Sequence, residues 1–289
     1  MSITDGEVKS LELEAISLRE SVIEMLLSAG SGHTAGPLGM ADIFAALYFK
    51  VLKHDPRNPS WPHRDRLILS NGHICPILYA SMAHSGYFDV KELLNLRKFK
   101  SILQGHPHRE FLPSLENSSG PLGSGLSQAI GMALGDKIVS SKLLDNNQKY
   151  FYCLMGDGEM NEGNVWEALM LLSKLKLTNI ITIIDRNTIQ IDGFTEDVMP
   201  LEPLPHKLET FNFNVIEING HDMRSIVNAI DVAKTNKLKP TIIIAHTIPG
   251  KGYVRIEGDY RWHGKAPNDK EAKEALHDLH TLHDRIEKF

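Results

Sequence analysis

Two short polar segments, each directly after an apolar run, contain the residues with the clearest capacity for chemistry. The first runs from Gly156 to Glu159 and the second from Asp185 to Ile189. The Asp157 carboxylate, the Asn187 amide oxygen and a backbone carbonyl are hard oxygen ligands, which suit Mg²⁺ that also holds a phosphate. Glycine on both sides of Asp157 lets a phosphate approach the backbone closely. Either segment alone would be a turn, but two such strand ends in one sheet predict a shared metal and phosphate site.

Alternating apolar runs and amphipathic stretches predict the elements that position these segments. From about residue 150 to 245 strands alternate with helices, and several strands are continuous apolar runs. This pattern is typical of a mostly parallel sheet with helices on both faces, so the expected fold class is α/β. The predicted strands are 66–69, 150–155, 180–184, 214–218 and 241–245, and the predicted helices are 7–28, 40–52, 74–84, 123–141, 165–175, 223–234 and about 268–286.

The chain reads as one domain over residues 1–289, which ends in the helix at about 268–286. It contains no internal repeat, low-complexity tract or long linker that would divide it. The segment 193–205 contains three prolines, and we expect contacts rather than secondary structure to order it.

Bulk composition excludes several function classes. The formal net charge is -5 and the pI is about 6.3, so we expect no electrostatic binding to nucleic acid or to an anionic membrane. The start of the chain, Met1–Gly6, lacks the apolar core of a signal peptide, and no apolar run is long enough to span a bilayer. Cys75 and Cys153 have apolar surroundings and read as core residues in a reducing compartment. A cytoplasmic protein is therefore expected.

Histidine is the second chemical signal. The chain has 14 histidines, and many of them lie beside glycine. A lone histidine is more often a packed or surface residue than a catalyst, but histidines repeated in glycine-rich turns favour function, because glycine opens space beside the ring. The histidines that have a glycine neighbour are His33, His73, His106, His221 and His263.

Taken together, these segments resemble the thiamine diphosphate-binding part of transketolase. Gly-Asp-Gly followed about thirty residues later by Asn, with a strand before each, is similar to the thiamine diphosphate fingerprint. The histidine and glycine loops also occur in that family's order, which makes the set specific where any single member would be weak. The segments that carry the resemblance are 32–39, 69–73, 105–107, 118–125, 156–168, 185–193 and 262–267.

The resemblance implies a thiamine diphosphate-binding fold and a role for each matching residue. It implies that Mg²⁺ is bound by Asp157, Asn187 and the Ile189 carbonyl. The cofactor-binding residues that it implies are His73, Gly120, Pro121, Leu122, Gly156, Asp157, Gly158, Glu159, Asn187, Ile191 and His263. The implied catalytic residues are His33, His73, His106, His263 and Glu162, with His33, His106 and His263 facing the hydroxyl groups of a sugar and Glu162 near an interface.

The implied chemistry explains why several imidazoles would surround one small polyol. Thiamine diphosphate supplies the carbanion and the electron sink, while the protein supplies position and electrostatics. Cleaving a ketose beside its carbonyl needs a base for a hydroxyl proton and donors for a developing alkoxide, and histidine serves both needs. His221 reads instead as part of a turn that opens a helix capped by Asp222. The histidines expected to have only surface or packing roles are His54, His63, His84, His277, His280 and His283.

Chain length adds an expectation about partners. A complete transketolase is more than twice as long and has a second domain that binds the aminopyrimidine ring of the cofactor. The resemblance covers only the first domain, and the chain begins with Met1 and an ordinary helix. We therefore expect the N-terminal subunit of a split transketolase, which acts on sugar phosphates only with a separate C-terminal subunit. The two-fold symmetry of such enzymes favours an α2β2 assembly.

Three alternatives remain open from the sequence. Two other thiamine enzymes share the Gly-Asp-Gly and Asn pattern: 1-deoxyxylulose-5-phosphate synthase and the α subunit of a 2-oxoacid dehydrogenase. The set of three histidines and Ile191-Asp192-Gly193 favour transketolase over both. A non-catalytic cofactor-binding subunit would not need the histidine loops. A generic Mg²⁺–nucleotide protein is disfavoured because the chain has no Gly-x-x-x-x-Gly-Lys-Ser/Thr motif. The substrate stays open between an ordinary pentulose phosphate and a branched ketose phosphate.

Overall fold

A five-stranded parallel sheet forms the centre of the computed structural model, which describes residues 3–143 and 148–288. The strands are β1 (Arg66–Leu69), β2 (Phe151–Gly156), β3 (Ile180–Arg186), β4 (Ile189–Gln190), β5 (Gly193–Phe194), β6 (Asn214–Asn219) and β7 (Thr241–His246). Within the sheet the order is β1-β2-β3-β7-β6, while β4 and β5 pair separately as a small antiparallel hairpin. All six residues of β2 and all seven of β3 are buried, which the apolar runs 150–155 and 180–184 predict for the residues that they contain.

Helices cover both faces of the sheet. They are α1 (Asp5–Ala29), α2 (Ala35–Gly39), α3 (Ala41–Ala46), α4 (Cys75–His84), α5 (Ser124–Leu143), α6 (Gly163–Leu175), α7 (Thr195–Val198), α8 (Leu204–Thr210), α9 (Met223–Thr235) and α10 (Asp269–Lys288). One core cluster joins the sheet to α1, α3, α4, α9 and α10, and the other joins it to α5, α6 and α8. Alternate residues of β2 belong to opposite clusters. The predicted α/β class, with helices on both faces of a parallel sheet, is confirmed.

The predicted helix 40–52 is present over Ala41–Val51, but it is not α-helical throughout. The structure has α3 followed by a π-helical turn, Leu47–Val51, and a separate short helix, α2, lies before them. Gly39 closes α2 at a point where the chain approaches another loop, since a Cβ there would lie 3.0 Å from the Ile248 carbonyl oxygen. The π-helical turn has no signal that we recognise in the sequence.

Two further expectations near the site are corrected. β3 extends to Arg186, so Asp185 and Arg186 are buried strand residues and not loop residues. The segment 193–205 does contain secondary structure, namely β5, α7 and the start of α8. Its contacts include the Thr195 hydroxyl, which donates to Asp157 over 3.2 Å. Met1, Ser2 and Phe289, at the two ends of the predicted domain, lie outside the described residues.

No helix in the described part of the chain has both the length and the apolar character that crossing a membrane requires. Both cysteines are free and buried, as expected for core residues. Burial raises the pKa of the Cys75 thiol to about 12, which makes it a poor nucleophile at neutral pH.

Candidate active site

The carboxyl ends of β1, β2 and β3 open into one cavity of about 450 Å³. Since the strands are parallel, the polar segments that follow them meet at the same edge of the sheet. Most residues predicted for the site lie here. The lining residues are His33, Asn71, His73, His106, Gly120, Leu122, Gly156, Asp157, Gly158, Glu159, Asp185, Asn187, Ile189, Gln190, Ile191, Asp192 and His263.

The Asp157 carboxylate is buried and held from several directions. Its Oδ2 accepts hydrogen bonds from Arg186 Nη1 at 2.7 Å and from the Thr188 backbone N–H at 2.8 Å. Its Oδ1 accepts from the Gly158 N–H at 2.7 Å and keeps capacity for a further partner. Burial raises the pKa of this carboxyl, and the Arg186 guanidinium opposes that rise. The arrangement therefore fixes the carboxylate and leaves one of its oxygens with capacity for a further partner.

A second buried acid, Asp185, orients the amide of Asn187. Asn187 Nδ2 donates to Asp185 Oδ2 over 2.7 Å, and the Thr247 hydroxyl donates to Asp185 Oδ1. Asn187 Oδ1 accepts from the Ile189 N–H at 3.0 Å, which leaves it one lone pair. Burial raises the pKa of the Asp185 carboxyl to about 7. Asp185 thus fixes which end of the Asn187 amide presents oxygen.

Glu159 joins three segments around the cavity. Its Oε1 accepts from the Gly123 N–H and from the Ser70 hydroxyl, each at 2.5 Å, and its Oε2 accepts from the Gly156 N–H at 3.2 Å. Burial raises the pKa of this carboxyl, and these three hydrogen bonds lower it. Gly123 has φ +80, and a Cβ there would lie 2.0 Å from the Asn164 amide oxygen, so only glycine fits this turn. Glu159 is therefore hydrogen-bonded to the glycine-rich loop, residues 118–125, and to the ends of two strands, β1 and β2.

Four histidines from four different loops form one cluster on the cavity wall. Ring centroids are 5.0 Å apart for His33 and His73, 5.4 Å for His33 and His263, and 5.0 Å for His73 and His263. His106 lies 6.4 Å from His33. These residues are far apart in the sequence, and the fold brings them together.

The cluster is electrically neutral near pH 7. Burial, together with repulsion from a proton on His263 and from the Arg97 guanidinium, lowers the pKa of His33 to about 4. Burial also lowers the pKa of His73, His106 and His263. Neutral imidazoles each have one donor and one acceptor nitrogen, so the cluster can both accept a hydroxyl proton and donate to an oxygen.

Two predicted residues do not line the cavity. Pro121 is exposed on the glycine-rich loop, and Glu162 is exposed at the start of α6, where it is the N-cap residue. His221 also lies outside the cavity lining, in a network where its Nδ1 contacts Asp42 at 2.7 Å and its Nε2 accepts from the Ile248 N–H. Asp222 caps α9, as the sequence predicts.

Several lining residues are absent from the predicted set. Asp185, Gln190 and Asp192 belong to a segment that the sequence marks as polar and functional, and Asn71 lies next to a predicted histidine loop. The sequence signal that could have identified these residues is their position in or beside a segment that carries a motif. Which of these side chains are buried, and what they face, depends on contacts with other strands.

The donor set fits a hard cation bound with a diphosphate. Asp157 and Asn187 each keep one side-chain oxygen with spare capacity, and the Ile189 residue lines the same cavity. No cluster of three or more His, Cys, Asp or Glu that could hold a metal occurs within 3–143 and 148–288. A cation here would therefore rely on amide, carbonyl and phosphate oxygens beside one carboxylate.

A parallel α/β sheet whose oxygen-rich edge faces a wall of imidazoles fits the thiamine diphosphate-binding fold that the sequence resembles. Residues 12–283 match the family model described as transketolase, thiamine diphosphate binding domain. The chain belongs to this transketolase family.

Relatives and solved structures agree with this assignment. The chain is 38% identical to the 6-deoxy-6-sulfo-D-fructose transketolase subunit SqwG of Clostridium sp. (strain MSTE9), over 93% of this chain and 96% of that one. It is 37% identical to an apulose-4-phosphate transketolase subunit from Phocaeicola vulgatus, over 98% of both chains. Transketolase from Leishmania mexicana superposes with a TM-score of 0.87 at 30% identity, over 96% of this chain but 45% of that one.

These matches confirm the prediction of an N-terminal transketolase subunit. The relatives that are themselves subunits are matched over nearly their whole length, whereas the chain spans slightly less than half of the solved transketolase. Neither the 1-deoxyxylulose-5-phosphate synthase alternative nor the 2-oxoacid dehydrogenase alternative is favoured.

Proposed function

We propose that this chain holds thiamine diphosphate through Mg²⁺ and provides half of an active site that transfers a two-carbon ketol unit from a ketose phosphate to an aldose phosphate. A separate C-terminal subunit provides the other half. The observation that carries this proposal is the shared cavity. The oxygens of Asp157 and Asn187 that could bind a metal line it together with a cluster of four neutral imidazoles.

The metal site would be formed by the Asp157 carboxylate, the Asn187 amide oxygen and the Ile189 carbonyl. Arg186 and Asp185 hold the first two side chains in place before any ligand arrives. Such preorganisation reduces the reorganisation that binding requires. The cavity-lining residues that would lie along the cofactor are His73, Gly120, Leu122, Gly156, Gly158, Glu159, Ile191 and His263. Pro121, between Gly120 and Leu122, is exposed and would lie next to them.

Thiamine diphosphate, when bound, supplies the carbanion and electron sink for breaking and making the carbon–carbon bond. The chain's own part is to orient the sugar and to hold protons at the imidazole nitrogens. His33, His106 and His263 would bind the sugar hydroxyls, since each has a neutral ring at neutral pH and lines the cavity. Glu162 would act at the interface between the two chains, where its exposed position leaves it free for a partner.

An open cavity edge supports the need for a second subunit. Ile191 lines the cavity and is 68% exposed, and Phe194, Val198 and Met199 continue this exposed apolar surface. Exposed apolar groups beside a ligand cavity are typical of interaction surfaces. We propose an α2β2 assembly, because closed two-fold symmetry is the commonest solution for such subunits. A cytoplasmic location and a single domain complete the proposal.

Reconstitution tests the proposal. The purified full chain, the purified C-terminal subunit of the same organism and their mixture are each assayed with Mg²⁺ and thiamine diphosphate, using several ketose phosphates as donors. Ketol transfer is expected from the mixture only, at least about a hundredfold above either component by itself. Full activity of the isolated chain would contradict the split site. No transfer by the mixture, with any donor, would contradict the activity itself.

The donor panel includes compounds suggested by the relatives. The names of two relatives refer to 6-deoxy-6-sulfo-D-fructose and apulose 4-phosphate, a sulfonated and a phosphorylated ketose. We therefore propose a ketose that carries an anionic group at the end remote from its carbonyl. Xylulose 5-phosphate, a branched ketose phosphate and a sulfonated ketose would distinguish an ordinary from a specialised donor.

A further inference from the structure

A buried amide that lines the cavity, that of Asn71, has no hydrogen-bond partner among residues 3–143 and 148–288. Asn71 is 1% exposed, and both its Oδ1 and its Nδ2 are unpaired within this described part of the chain. Its side chain does not cap the turn that it begins. Buried polar groups are almost always paired in native proteins, so this amide requires an explanation.

A second buried amide, that of Asn117, lies close to the same strand and has hydrogen-bond partners at both ends. Asn117 Nδ2 donates to the Leu69 carbonyl at 3.2 Å, and Asn117 Oδ1 accepts from the Leu69 N–H at 3.2 Å. Asn117 is thus paired at both ends with the backbone of β1, whereas Asn71, two residues beyond Leu69, is paired at neither end. The difference between them is that only Asn71 lines the cavity.

The Asn71 amide lies directly against the Gly-Asp-Gly loop. A Cβ on Gly156 would lie 3.8 Å from Asn71 Nδ2 and 3.9 Å from Asn71 Cβ. Asp157 and Gly158 line the same cavity. The unpaired amide therefore faces the space that the backbone of this loop also faces.

We infer that Asn71 is a further binding residue for the diphosphate group, donating its amide N–H to a phosphate oxygen. This inference rests on the proposed cofactor role of the cavity. A neutral donor would suit the site, because a bound Mg²⁺ would balance part of the diphosphate charge. Whichever way the amide is turned, one end is an N–H donor and the other is an acceptor.

A purely structural amide predicts the opposite response to substitution. If Asn71 stabilised the fold, removing its polar atoms would lower the stability of the cofactor-free chain, as it should for Asn117. If Asn71 serves the ligand, those atoms are unpaired without it, and an apolar side chain of similar shape is tolerated or stabilises the chain. Only binding would then be weakened.

The experiment compares Asn71→Leu and Asn71→Asp with the control Asn117→Leu in the full chain, both by itself and with its partner. Thermal unfolding without cofactor is measured alongside calorimetric titration with Mg²⁺–thiamine diphosphate and with Mg²⁺–pyrophosphate. Asn71→Leu is expected to keep or raise Tm and to weaken both ligands about tenfold or more, as for a hydrogen bond to a charged group. Asn71→Asp should weaken them further, because its carboxylate repels the diphosphate. Asn117→Leu should lower Tm.

The possible failures are distinguishable. Wild-type chain that binds neither ligand, even with its partner, would overturn the proposed cofactor role and this inference with it. Wild-type chain that binds while Asn71→Leu binds equally well would overturn the role of Asn71 alone. A fall in Tm for Asn71→Leu similar to that for Asn117→Leu, with unchanged affinity, would assign Asn71 to the fold.

Discussion

Hydrogen bonds within the protein fix the Asp157 carboxylate but do not occupy all of its capacity to accept. Three donors converge on its Oδ2, from Arg186, Thr188 and Thr195. They offset part of the free-energy cost of burying a charge, since buried carboxylates need partners. Oδ1 meets a single donor from its neighbour Gly158. The two oxygens of one carboxylate thereby have different tasks, one toward the protein and one toward the cavity.

Asp157→Asn is expected to weaken Mg²⁺-dependent binding of thiamine diphosphate by about tenfold or more. The amide keeps the shape but removes the negative charge that a hard cation requires. Titration of the cofactor at several Mg²⁺ concentrations measures the effect. Asp197→Asn, an exposed site beyond the cavity lining, is the matched control. Cofactor affinity of Asp157→Asn that equals the wild-type value at every Mg²⁺ concentration would remove Asp157 from the metal site.

His33 should make the stability of the chain depend on pH between about 4 and 6.5. Burial lowers its pKa to about 4 in the folded chain, against about 6.5 when unfolded. In this window the unfolded chain binds more protons, so the free energy of unfolding falls as pH falls, by on the order of 3 kcal/mol in total. At neutral pH the His33 ring is largely neutral in both the folded and the unfolded chain, so its lowered pKa no longer changes the free energy of unfolding.

The measurement is denaturant unfolding of wild-type chain and His33→Asn at a series of pH values. Below pH 6.5 the free energy of unfolding should fall less steeply with falling pH for the variant than for wild type. The stability of the variant relative to wild type therefore improves from pH 6.5 to pH 4. His277→Asn, on the exposed face of α10, controls for the loss of an imidazole elsewhere. Parallel curves for wild type and His33→Asn across this range would show that the His33 ring is not buried as a neutral group.

At the scale of elements, the strand ends are connected to one another as well as to the sheet. Glu159 receives a donor from the end of β2, one from the glycine-rich loop before α5, and the Ser70 hydroxyl beyond β1. Ser70 in turn accepts from the Gly125 N–H at 3.0 Å. The loop that would lie along the cofactor is therefore fastened to two of the three strands whose carboxyl ends open into the cavity.

Glu159→Gln is expected to loosen this loop. A glutamine has one accepting oxygen where the carboxylate has two, so at least one of the three donors loses its partner. We expect a loss of about 1–3 kcal/mol in unfolding free energy, faster amide hydrogen exchange at Leu122 and Gly123, and weaker cofactor binding. Glu167→Gln, an exposed position of α6, is the control. Exchange rates at Leu122 and Gly123 that match wild type would show that Glu159 does not hold the loop.

The sequence predicted these elements well where the signal is local. All five strands of the sheet were predicted. Continuous apolar runs marked β2 and β3, because a strand buried on both faces needs apolar side chains, whereas β6 is interrupted by Glu217 and is only partly buried. Long-range contacts escaped prediction. Nothing local marks Glu159 as a partner of Gly123, 36 residues away, or shows that β3 continues to Arg186. The pairing of Asp185 with Ala245 and of Arg186 with His246 extends that strand.

The candidate site likewise has residues that the sequence predicted and residues that only long-range contacts reveal. The order and spacing of the motifs located Asp157, Asn187 and the histidine loops, because the set is specific although each member alone would be weak. Asn71 was missed, since an asparagine before a glycine usually indicates a turn. Its unpaired amide becomes visible only when every neighbour of the side chain is known. Arg186 was missed because its charge gave no sign that it would be buried against Asp157.

At the scale of the whole molecule, the sheet is covered on both faces but open at its carboxyl edge. Two core clusters fill the faces, while the cavity edge exposes apolar groups such as Ile191 and Met199. The solved transketolase from Leishmania mexicana is more than twice as long as the part that this chain matches. A cofactor bound here would therefore keep one end in this chain and leave the other for a second subunit.

A ligand shared between two chains must couple their association. We expect Mg²⁺–thiamine diphosphate to bind the mixture more tightly than either component, by about tenfold or more, and to tighten the association of the two chains by the same factor, since binding free energies are reciprocal. Calorimetry gives the first factor, and sedimentation with and without cofactor gives the second. Asp157→Asn is the control, because its association with the partner should respond only at cofactor concentrations about tenfold or more higher. Equal cofactor affinity with and without the partner would place the whole binding site within this chain, and two unequal factors would mean that cofactor binding and chain association are linked to a further equilibrium.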